Sequence, residues 1–206
     1  MTSRQSILSK LPAKATPPAW SSQRLVPAFV QQDQAQLVAL FCEKVMLSQA
    51  TIETVASVNE VPERVAALFP NAEIVVSDVL NNLPWSQVAL QRVGLDLAKD
   101  GIIAVTDCFA GVAETGTLVL LSGRDRDSRL NFVSQTHIVI VEASSIVGPY
   151  EDVWQMLRDA TISIPRAVNF VTGPSRTADI EQTIELGAHG PGEVHVIIVD
   201  AFEHQP

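Results

Sequence analysis

Several stretches of this chain are nearly unbroken runs of apolar and β-branched residues, and they limit its fold more than any other feature. They are Glu73-Ile-Val-Val-Ser77, Gly101-Ile-Ile-Ala-Val-Thr106, Thr117-Leu-Val-Leu-Leu-Ser122, His137-Ile-Val-Ile-Val141, Ala167-Val-Asn-Phe-Val171 and Val194-His-Val-Ile-Ile-Val199. A strand with one wet face alternates apolar and polar residues, whereas a continuous run suits a strand covered on both faces. The cover comes from helical segments predicted at 34–48, 60–69, about 85–98, 150–160 and 177–186, with one more short strand at Ile52–Ala56. Asp33 begins the first helix, and Leu37, Leu40, Phe41 and Val45 follow at helical spacing. Pro62 and acidic residues mark the opening of the second, and Pro70 its end. The predicted architecture is a three-layer α/β/α sandwich on a mostly parallel sheet. The runs at 101–106 and 117–122 are joined without a helix of ordinary length, so some mixing of strand direction is expected.

Residues 12–30 hold Pro12, Pro17, Pro18 and Pro27. Residues 1–32 therefore read as an arm, a short helix at 3–10 leading into extended chain, ahead of a domain over 33–206. A formal charge of −9 argues against a general attraction to nucleic acid or anionic membrane. The longest stretch without charge or histidine, Val79–Gln91, is too short and too polar for a membrane span. No signal-peptide core stands at the N-terminus, so the cytoplasm is the expected compartment.

The common catalytic signatures are missing. Neither a dinucleotide fingerprint nor a P-loop occurs, and neither Gly-x-Ser-x-Gly nor His-Glu-x-x-His is present. His137, His189, His195 and His204 lack ligand spacing, and Cys42 and Cys108 are too far apart for a local metal motif. No metal and no cofactor is expected on this chain. An iron–sulfur cluster, if one takes part, would belong to a partner.

Four segments carry chemical information. In Asp107-Cys-Phe-Ala-Gly-Val-Ala-Glu114-Thr115-Gly116-Thr117, a carboxylate sits between two buried strands. Left buried and unpaired it would cost several kcal/mol, so Glu114 must be exposed in a cleft, hydrogen-bonded or protonated. Either it caps the turn, or it is a ligand contact or nucleophile with Thr115 and Thr117 as donors. Thr172-Gly173-Pro174-Ser175-Arg176-Thr177-Ala178-Asp179 follows a strand and reads as a helix opening. It is either an ordinary N-cap or an anion site, with amides converging on one spot and Arg176 adding a bidentate donor. Gly187-Ala-His189-Gly-Pro-Gly192 is a constrained loop around one histidine, or a plain tight turn. Arg124-Asp-Arg126-Asp-Ser-Arg129 alternates sign and reads as a self-paired, solvated loop in preference to an anion site.

Ala113-Glu-Thr-Gly-Thr117, His137–Val141, Thr172-Gly-Pro-Ser-Arg-Thr-Ala-Asp-Ile-Glu181 and His189-Gly-Pro191, in this order and spacing, resemble the LutC/YkgG family of LUD-domain proteins over roughly residues 33–200. The resemblance implies a fold like that of the glucosamine-6-phosphate deaminase, ribose-5-phosphate isomerase and CoA-transferase superfamily. It also implies a part in bacterial oxidation of L-lactate to pyruvate, beside iron–sulfur and cysteine-rich partner subunits. On this reading Thr115, Gly116, Thr117, Gly173, Ser175, Arg176 and Asp179 bind a small anionic metabolite. Glu114 accepts a proton or hydrogen bond from it, and His189 orients the site. The alternatives are an independent enzyme of the CoA-transferase kind with Glu114 as nucleophile, and a non-catalytic regulatory or structural protein. Whether the chain is itself an enzyme stays open at this stage.

Overall fold

A computed structural model describes residues 33–95, 101–160, 165–180 and 183–201, with 177–180, 183–186 and 201 as backbone only. The predicted helix at 3–10, the proline-bearing arm and His204 lie outside the described residues.

Helix α1 (Gln34–Leu47) opens on a reciprocal cap in which the Asp33 carboxylate accepts from the Gln36 amide and the Gln36 side chain accepts from the Asp33 amide. It buries Leu37, Phe41 and Val45 on one face. Strand β1 (Thr51–Ser57) follows, and Ser57 and Glu60 form a second such cap leading into α2 (Val61–Leu68), with Pro62 in the first turn. Then come β2 (Glu73–Val76), the two-residue β3 (Gln91–Arg92) and β4 (Ile103–Asp107).

The helix expected over 85–98 is not there. Trp85 turns inward, donating its indole N–H to the Leu80 carbonyl at 2.8 Å from a buried position, while Gln91 and Arg92 pair with the free edge of β2. Burying an indole with its N–H satisfied outweighs a helical pattern that Gly94 already weakens. Residues 96–98 of that prediction lie outside the described residues.

The main sheet is completed by β7 (Thr136–Glu142) and β12 (Glu193–Ala201). Its order is β1-β12-β7-β4-β2-β3, and every pairing in it is parallel. Alternate residues face opposite layers. Ile138, Ile140, Ile197 and Val199 join Val61 and Val65 of α2, whereas Val139, Val141, Val196 and Ile198 join Leu37, Phe41 and Val45 of α1. This is the predicted sandwich of a sheet between helices.

The mixed strand direction has a different origin from the one expected. The run at 117–122 does not join the main sheet but forms β6 (Thr117–Leu121) of a second one, with β5 (Ala110–Val112), β8 (Ile146–Val147) and β9 (Val168–Val171) in the order β8-β5-β6-β9. Leu118 and Leu120 of β6 pack in the same cluster as α1, so that helix is wedged between the two sheets. A short α3 (Leu130–Val133) precedes β7, and α4 (Tyr150–Asp159) covers the second sheet through Val153.

The segment 177–186 is likewise not a helix. It is a hairpin of β10 (Arg176–Ile180) and β11 (Thr183–Leu186), antiparallel, with Arg176 opposite Leu186. Its Thr and Ile content favours a pleated ladder.

Candidate functional site

The segments singled out in the sequence converge on the C-terminal end of α1. Gly116 and Gly173 both hold left-handed backbone, at φ +69° and +66°. A Cβ at Gly116 would lie 2.5 Å from the Val45 amide nitrogen, and one at Gly173 would lie 2.4 Å from the Ser48 carbonyl oxygen. Only glycine permits both the dihedral and the approach. Arg176 donates from its guanidinium to the same Ser48 carbonyl at 2.7 Å, which places a cation beyond the negative end of the helix.

The turn carrying Glu114 and the loop carrying Arg176 are tied by hydroxyls. Thr117, fully buried, shares a hydrogen bond with Thr172 at 2.7 Å, with Tyr150 at 2.7 Å and with Thr115 at 2.6 Å, and Thr115 meets Tyr150 at 2.9 Å. Four hydroxyl protons serve these four links, so the threonines' donors are engaged with one another. Ser175 holds the third segment, its amide donating to the Pro191 carbonyl at 2.8 Å and its carbonyl accepting from the Gly187 amide at 3.0 Å. His189 stands exposed on that loop.

Glu114 is half-buried, and its carboxylate meets no donor among the described residues. The turn amides that it could have capped are taken by the chain itself, since Thr115 and Gly116 both donate to the Val112 carbonyl. The anion site expected at a helix opening after Ser175 lacks its helix, because that stretch is the hairpin β10–β11. Any anion bound here would meet the arginine and not a row of helix amides. Asp179 lies on β10, where side chains fall outside the description. Among the described residues no group of three His, Cys, Asp or Glu side chains could hold a metal. Cys108 is no nucleophile, because burial pushes its thiol up to about 12 and its Sγ donates to the Ala110 carbonyl at 2.9 Å.

Sequence reasoning missed Tyr150 and Thr172 as members of this cluster. Tyr150 is the chain's single tyrosine, and it directly follows Gly148-Pro149 at a helix start. That is a detectable signal, but nothing local links it to residues 33 positions earlier.

Fold and site together define an α/β protein in which a parallel sheet carries a second, smaller sheet and glycine-bearing turns close around one helix end. A family model described as the LUD domain matches residues 97–199, and the chain belongs to the LUD domain family. It is similar to proteins named lactate utilization protein C. That of Anoxybacillus flavithermus is 32% identical over 108 residues, 52% of this chain and 48% of that protein. That of Bacillus subtilis is 33% identical over 105 residues, 50% and 44% of the two chains, and that of Macrococcus caseolyticus 26% over 170 residues, 71% and 70%. The chain thus spans about half the length of the first two. In fold it is similar to the crystal structure of a DUF162 family protein from Deinococcus radiodurans, with a TM-score of 0.59 and 22% identity over 82% of this chain and 99% of that one. No described helix is long and apolar enough to cross a membrane.

Proposed function

We propose that this chain is a cytoplasmic component of a lactate-utilisation system, and that it binds a small anionic metabolite where the Glu114 turn meets the Arg176 loop. The names of its relatives support the first part. The second rests on one observation: Glu114 is far in the chain from the hairpin region of Arg176 and His189, yet the two segments are tied together at one helix end, with the Glu114 carboxylate unpaired among the described residues. An arginine on one of these segments and a half-buried carboxylate on another suit a hydroxy acid: the guanidinium takes the ligand's carboxylate and Glu114 accepts from its hydroxyl. The oxidation itself needs an electron acceptor. In this reading iron–sulfur and cysteine-rich partner subunits supply it, and the chain acts as their accessory.

The test is lactate-dependent electron transfer with the partners reconstituted. Glu114→Gln and Arg176→Ala are each expected to lower it by about tenfold or more, the loss of one charge-assisted hydrogen bond. Rates unchanged in both variants would sink the ligand site, and a chain recovered from lactate-grown cells alone and without iron would sink the partner reading.

A further inference from the structure

A second place in the molecule has the form of a ligand site, and it lies at the opposite, carboxyl end of the parallel strands. After β2 the chain runs outward to the edge strand β3, and after β4 it runs the other way, to the second sheet and β7. Divergent connections leave a crevice between the carboxyl ends of neighbouring strands, where open α/β sheets bind their ligands. Here that crevice lies between Ser77, just beyond β2, and Asp107, the last residue of β4. Ser77 and Asp127 of this crevice also line a neighbouring cavity of about 580 Å³, within the range of small-molecule sites.

Its apolar side is the half-buried Val93 and Leu95, backed by the buried Val75 and Leu130 on which they pack. One wall is the loop of alternating charges, and that loop is pinned in place. Arg126 donates to Asp107 at 2.7 Å, Arg129 grips Asp127 at 2.9 and 2.6 Å, and Ser77 donates to the Asp125 carbonyl at 3.2 Å. The self-pairing read in the sequence thus holds for Arg129 alone, since Arg126 reaches out of the loop to the end of β4, and it leaves out Arg124. Arg124 lines the cavity, exposed, and its guanidinium meets no acceptor among the described residues. Arg92 lines the cavity too, on β3, and donates to Asn81. Gly94 completes the lining with nothing within 4 Å of where its Cβ would stand, so the space beside it is open.

We infer that this cavity binds a nucleoside monophosphate or a compound built like one. Arg124 and Arg92 take the phosphate, and the valine and leucine side takes the flat base. The carboxylates of Asp78 and Asp125, which also line the cavity, accept from sugar hydroxyls and repel a longer phosphate chain. The site is independent of the Glu114 and Arg176 surface.

The test is calorimetric titration of the full chain with AMP, ATP and inorganic phosphate. AMP is expected to bind, with ATP and inorganic phosphate each about tenfold weaker or more. Arg124→Ala and the cavity-filling Gly94→Leu should each weaken AMP by about ten- to a hundredfold at an unchanged melting temperature, the loss of a charge-assisted pair or of the space itself. Arg176→Ala should bind AMP like the parent protein, which separates this proposal from the preceding one. No AMP binding at up to about 1 mM, or equal affinity in the parent and both cavity variants, overturns it. Phosphate binding as tightly as AMP overturns the role of the apolar side.

Discussion

His137 shows how much one buried ring can impose on the molecule. It lies fully buried in the middle of the parallel sheet, with Nε2 bonded to the Thr106 hydroxyl at 2.8 Å and no partner for Nδ1 among the described residues. Burial pushes its pKa down to about 4, so the ring is neutral at ordinary pH. Because the unfolded ring titrates near 6.5, the unfolded chain binds the extra proton between these values. Stability from this residue is therefore complete above about pH 6.5 and falls by about 3 kcal/mol as the pH drops toward 4. Urea unfolding at stepped pH should show this slope in the parent protein. His137→Gln, which keeps an acceptor for Thr106 but cannot titrate, should flatten it. The run His137–Val141 was legible as a buried strand from its residues, and so was Thr117 as a residue of interest. Their partners were not: Thr106, Tyr150 and Thr172 reach them only through the tertiary fold, across 31 to 55 positions of chain.

Among the elements, strands were easier to read than helices, for a physical reason. A buried parallel strand advertises itself by composition alone, and each predicted run became a strand within a residue or two. A surface helix competes with any arrangement that satisfies its amides in another way. Over 85–98 a buried tryptophan and a free sheet edge won, and over 177–186 a hairpin did. Helix α1 was fully legible because its cap and its apolar stripe agree. What could not be read is that the end of this helix serves as a seat for two distant turns. Gly173→Ala tests that seat. The left-handed dihedral costs an alanine about 1–2 kcal/mol, and the clash with the Ser48 carbonyl adds to it. The expected result is a loss of about 2 kcal/mol or more in chemical denaturation. A variant as stable as the parent would show that the contact is slack.

For the molecule as a whole, the α/β class followed from continuous runs alternating with helical segments, but the division of strands between two sheets did not. The β6 run, Thr117–Leu121, is as apolar as the β4 run, Ile103–Asp107, and both are buried. Composition reports that a strand is covered, not which sheet it joins. The only hint was the missing crossover helix between them, and it pointed to an antiparallel neighbour without revealing a separate layer. The strand-end cavity was hidden for the same reason, since its walls come from β2, β3 and the loop after β6.

The position of β12 has a consequence in time. It is the last strand described, yet it lies inside the main sheet, pairing with β1 on one side and β7 on the other, so residue 51 meets residue 195. As the chain is made, β1 must wait for more than 130 further residues before it finds its neighbour, and β7 presents an open, strongly apolar edge meanwhile. Such edges recruit other chains, and such distant pairings form slowly. A chain stopped at Gly192 should therefore stay unfolded and associate, as light scattering and circular dichroism would report. Adding a separate peptide spanning 193–201 would suppress that association. Newly made chains should accordingly depend on chaperones until those residues emerge.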